Sequence, residues 1–78
     1  MTIKNQTDMV IRMLGSELAC FVPTRRLPEL QRAVSALRAA QHDVRIEPTS
    51  CRLQGCHMDG YNLFIAPEHE TALIEALP

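Results

Sequence analysis

Seventy-eight residues suffice for one small domain, near the lower size at which a single core holds without help. A hydrophobic fraction of 46% excludes a disordered chain, and one Tyr, two Phe and no Trp require a core built from aliphatic side chains. The net charge of −1 excludes strong whole-molecule steering toward nucleic acid or an anionic membrane.

Residues 1–7 are polar and lack the apolar core of a secretion signal. They are expected to be flexible. No apolar run is long enough to span a bilayer, so no membrane association is expected. A cytoplasmic location follows, with reduced cysteines. The odd count of three cysteines also argues against a closed disulfide framework.

Residues 8–14 contain the β-branched pair Val10-Ile11 and predict a strand. Gly15-Ser16 predicts a two-residue turn with Gly first, the type II′ preference, leading into a second strand over 17–22. A rival reading has Thr7 capping a short helix that stops at Gly15.

Pro23 ends the second strand. Thr24 is a candidate N-cap, and Pro28 fits the first turn of a helix running to about Gln41. Leu27, Leu30, Ala33, Val34 and Leu37 recur at spacings of three and four, which puts them on one face. After His42-Asp43, Val44-Arg45-Ile46-Glu47 alternates as a strand with one dry face, and Pro48 is expected to stop it. A short irregular strand is expected around Leu53, and a turn at Asp59-Gly60. Residues 61–66 predict the last strand. Pro67 opens a second helix with Leu73, Ile74 and Leu77 as its apolar stripe. Glu68 and Glu70 suit the positive end of its dipole.

The order β-β-α-β-(β)-β-α predicts a single α+β domain over 1–78. It would be an open two-layer sandwich, with two helices on one face of a mixed sheet and a right-handed crossover joining parallel strands. In element order alone this layout resembles ferredoxin-like modules. No residue motif accompanies the likeness, so it assigns no functional residue.

The segment 49–60 holds Cys51, Cys56 and His57 in a C-x4-C-H pattern, with Asp59 as a possible oxygen ligand. Structural zinc wants four ligands, typically from two close pairs, and here there is one loose cluster. Free thiols with no metal and no cofactor are the expectation. A thiol or zinc module on these residues is the alternative, with Arg52 or His57 activating a cysteine. Cys20, in line with Leu18 and Val22, reads as core.

Arg25, Arg26, Arg32 and Arg38 make the first helix basic. They could meet an anion, an acidic partner or nucleic acid. Scarce stacking aromatics and the slightly acidic net charge weigh toward a solvated face. No hydrolase elbow, Walker loop, dinucleotide fingerprint or H-E-x-x-H occurs, so no catalytic residue is assigned and no enzyme is expected.

The second and last strands are apolar on both faces. With helices for only one face, the other should expose a patch holding Ala19, Phe21, Phe64 and Ala66. A second copy of the chain is the simplest cover. The expected function is a homodimeric, non-enzymatic binding module that contacts another protein.

Overall fold

The computed structural model describes residues 9–53 and 56–77, and at Cys51, Arg52, Leu53, Cys56 and His57 it describes the backbone alone. The expected flexibility of residues 1–7 lies outside the described residues. The elements are β1 (Val10–Leu14), β2 (Glu17–Pro23), α1 (Leu27–Ala39), β3 (Arg45–Leu53), β4 (Cys56–Ile65) and α2 (Glu70–Ala76). Short 3-10 turns, Thr24–Arg26 and Pro67–His69, lead into the two helices.

β1 and β2 form the expected hairpin, with Leu14 opposite Glu17 across the Gly15-Ser16 loop. Gly15 takes φ 64°, and the only non-glycine residue with positive φ among those described is Gln41. Positive φ at the first loop residue alone is the type II′ signature. The rival helix over this segment is absent, and β1 is a strand.

The sheet has four strands in the order β1-β2-β4-β3, and every pairing is antiparallel. The expected mixed sheet is therefore corrected. β2 and β3 do run the same way, with α1 crossing between them, but β4 sits between the two and pairs with both. The chain thus splits its β-α-β unit, and the strand order is not the ferredoxin-like one.

Two local stop signals are overridden. Pro48 lies inside β3, opposite Tyr61, rather than ending the strand. β3 is a sheet edge, where a missing N–H can face outward without breaking the ladder. Asp59-Gly60 is not a turn but part of β4, opposite Ser50 and Thr49. Gly60 is there for packing: a Cβ would meet the Val22 carbonyl oxygen and come within 2.8 Å of Phe21 Cζ. The Phe21 ring occupies the place of that missing side chain.

α1 carries the expected stripe. Leu30, Ala33, Val34 and Leu37 are buried against Leu18, Cys20, Val22, Leu63 and Ile65 of the sheet. α2 adds Leu73 to the same cluster, joined by Leu77 just past its end, so both helices cover one face. Ile74, expected in the stripe, instead faces outward at 43% exposure. Fully burying a large aliphatic side chain contributes about 1.5–3 kcal/mol, so this layer dominates stability.

Thr24 is not an N-cap. Its hydroxyl donates to the Asp59 carbonyl at 3.1 Å and ties the turn before α1 to β4. The other end of α1 closes in a Schellman motif. The Gln41 N–H donates to the Arg38 carbonyl and the His42 N–H to the Leu37 carbonyl, each at 3.0 Å, with Gln41 at φ 71°.

Candidate functional site

The cysteine segment forms the far end of the β3–β4 hairpin. β2 pairs with β4 only from Gly60 to Ile65, so Cys56–Asp59 pairs with β3 alone. A two-stranded ribbon therefore extends beyond the sheet. In its register Cys51 stands opposite Met58, Arg52 opposite His57 and Leu53 opposite Cys56. The two cysteines are not register partners. Whether Cys51, Cys56 and His57 converge on a metal concerns side chains outside the described residues.

The ribbon is clamped at its base. Ser50 Oγ donates to Asp59 Oδ1 at 2.9 Å, and Thr24 holds the Asp59 carbonyl. Thr24, Thr49, Ser50, Asp59 and Tyr61 line a shallow, hydroxyl-rich depression there. Cys20 is core, as expected, with no exposed surface. Burial pushes its thiol pKa up from 9.0 to about 12, which keeps it protonated and unreactive near neutral pH.

The sheet face away from the helices is not the bare patch expected. Ala19 is fully buried, Phe21 is 2% exposed and Phe64 8%. Ala66 is half-buried. Phe21 is seated over Gly60, as above. Phe64 lies under the Arg45 guanidinium, 4.3 Å from the ring centroid. That guanidinium is held from both sides: Nη1 and Nη2 donate to the two Glu17 oxygens at 3.0 Å, and Nε donates to Glu47 Oε2 at 2.8 Å. These bonds push the Arg45 pKa upward, first through Glu17 and then Glu47. A planar cation bonded in its own plane presents its face to the ring. Asn62, opposite Phe21 on β2 and Glu47 on β3, lies on this same face. It is 6% exposed, and among the described residues its Oδ1 has no hydrogen-bond partner.

The exposed large apolar side chains sit mainly at the β1 rim. Val10 (39%) and Leu14 (38%) lie on this same helix-free face, opposite Phe21 and Glu17, Met13 (51%) lies on the helix-covered side of β1, and Met58 and Ile74 stand apart. The candidate arginines do not form one open basic face. Arg26 Nη1 pairs with Glu29 Oε2 at 3.1 Å, and Arg38 Nη2 donates to the Val44 carbonyl at 3.2 Å. Arg25 and Arg32 are exposed.

One pairing escaped the sequence. The rings of His42 and His69 meet with centroids 4.4 Å apart, tilted by 54°. Read singly, each is an ordinary loop histidine. Their approach depends on the turn that ends α1 and on the packing of α2, which no spacing in the chain reveals. Among the described residues no cluster of three or more His, Cys, Asp or Glu could hold a metal ion, and no helix is long and apolar enough to cross a membrane.

Comparison with known proteins finds no family model, no curated protein and no solved structure that matches this chain. Its surfaces have to be read from their own chemistry.

Proposed function

We propose that the protein is a non-catalytic binding module that works as a homodimer in the cytoplasm, contacts another protein, and self-associates along the free edge of β1. The observation carrying this reading is the difference between the two sheet edges. β3 is blunted by Pro48 in mid-strand and by Arg45 and Glu47. Such features discourage strand addition. β1 has no proline, a single charge at Arg12, and three exposed apolar side chains. Among the described residues the outer side of β1 is unpaired, and an unpaired apolar edge is a template for another strand.

A second copy satisfies that edge by two-fold symmetry. In an antiparallel β1–β1 pairing, residues facing each other share a sheet face. Centring the axis on Arg12 would oppose two like charges, which is destabilising. Centring it on Met13 places Met13 opposite its own copy and Arg12 opposite Leu14 of the partner subunit. That register avoids the repulsion and covers the Met13 and Leu14 side chains. It replaces the expected Phe21–Phe64 contact, because both rings are already buried within one chain.

Sedimentation or light scattering at micromolar concentration tests the reading. The wild type should be a dimer, and Met13→Lys with Leu14→Lys, which places charge on the edge, should be a monomer of unchanged helix content. A wild type that stays monomeric, or a dimer indifferent to these changes, overturns it.

A further inference from the structure

The contact between His42 and His69 joins two positions far apart in the chain, and the backbone fixes both. His42 ends the Schellman motif, its N–H bonded to the Leu37 carbonyl at 3.0 Å. His69 closes the turn before α2, its N–H bonded to the Ala66 carbonyl at 2.9 Å. Neither imidazole is swallowed by the core, since both residues are half-buried. His69 Nε2 lies 3.5 Å from Glu68 Oε2. A carboxylate near one ring nitrogen favours the tautomer that leaves the lone pair of the other nitrogen free, an arrangement common around metal-bound histidines. His42 also lines an open groove between the helices with Ala36, Ala40, Ala72, Glu75 and Ala76. The small side chains leave room beside the His42 ring.

We propose that His42 and His69 form a two-imidazole site for a borderline divalent transition-metal ion, which clips the end of α1 to the start of α2. The nitrogen donors suit Zn2+, Ni2+ or Cu2+ and not Mg2+ or Ca2+, which prefer oxygen. Two protein ligands leave the remaining positions to water, so the ion exchanges readily and the site acts as a conditional staple. Because the ligands converge only in the folded chain, metal binding raises apparent stability by mass action.

The test uses untagged protein carrying Cys51→Ser, Cys56→Ser and His57→Gln, so that the hairpin cannot compete for metal. Calorimetric titration with Ni2+ should show one site, and the melting temperature should climb with Ni2+ but not with Mg2+. His42→Gln or His69→Gln should each weaken binding by about tenfold or more, and the pair should abolish it, as expected when one or both donors are lost. Should those variants fold poorly, Cu2+ added to the parent protein should broaden amide resonances around residues 42 and 69 first. Absent binding, affinity untouched by the double substitution, or broadening centred elsewhere overturns the proposal and leaves the two rings as a packing contact only.

Discussion

Arg45 stands over the ring of Phe64, 4.3 Å from its centroid, and pairs with Glu17 at the same time. Arg45 and Phe64 are directly opposite in the β3–β4 register, and Glu17 comes from β2. One side chain thus spans three strands and covers the face of the Phe64 ring. Arg45→Met keeps the apolar stem but removes the fork, so it should lower the melting temperature. Arg45→Lys should not restore it, since an ammonium cannot make the bidentate pair. The difference from wild type should shrink at high salt, because the ions are exposed and screened. Thermal melts at two ionic strengths check both points.

Gly60 and Gly15 should respond differently to alanine. At Gly60 the new methyl runs into the Val22 carbonyl and the Phe21 ring. Overpacking of this kind costs about 1–3 kcal/mol. At Gly15 nothing lies within 4 Å, and only the positive φ opposes a side chain. Gly15→Asn should therefore be nearly neutral, because Asn tolerates that conformation. Urea unfolding of the variants measures both.

Gln41 occupies the left-handed position of the α1 cap, where glycine is favoured. Gln41→Gly relieves the Cβ strain and should stabilise the protein by about 0.5–1 kcal/mol, after allowing for the extra freedom of glycine in the unfolded chain. A destabilisation in urea titration would show that the Gln41 side chain makes a compensating contact.

Asn62 Oδ1 is buried without a partner among the described residues. Leaving such an acceptor unmade costs about 1–3 kcal/mol, so an apolar residue of suitable shape should be neutral or stabilising. Asn62→Val also suits a central strand. A loss of more than about 1 kcal/mol on equilibrium unfolding, the size of a typical hydrogen bond, would mean that the amide is satisfied in solution.

Cys20 supplies a pH prediction. Its folded pKa is about 12 against 9.0 for an unperturbed thiol. Between those values the native state holds a proton that the unfolded chain releases, so stability falls as pH rises. The contribution is fully present below about pH 9 and is lost toward pH 12. Cys20→Ala should flatten the alkaline limb of the stability curve, whatever its effect at neutral pH. Wild-type Cys20 should also resist alkylation at neutral pH until the protein unfolds.

How legible the chain was depended on how local each cause is. The α1 stripe, the Gly15-Ser16 turn and the α+β class follow from spacing and residue type within a few positions. Pro48 and Asp59-Gly60 misled because their usual meaning was cancelled by partners distant in sequence. An edge position excused the proline, and a Phe21 ring required the glycine. The covering of Phe64 could not be read either. It needs the β3–β4 register to set Arg45 opposite the ring, and β2 to bring Glu17 alongside. The patch of Ala19, Phe21 and Phe64 on the helix-free face is apolar as its pattern implies, but it is buried rather than open. The His42–His69 contact lay deeper still, since two unremarkable loop residues meet only once both helix ends are in place.

The insertion of β4 between β2 and β3 has a consequence for the order of assembly. β4 is the last strand in the chain, yet two others depend on it for pairing. As the polypeptide emerges during synthesis, the β1–β2 hairpin and α1 can form, but the inner flanks of β2 and β3 stay unpaired until residues 56–65 arrive. Those flanks are the strand borders most exposed to wrong pairing in a nascent chain. β4 therefore acts as a keystone, and a ribosome stalled before it should hold a chain far more prone to aggregation than the finished protein.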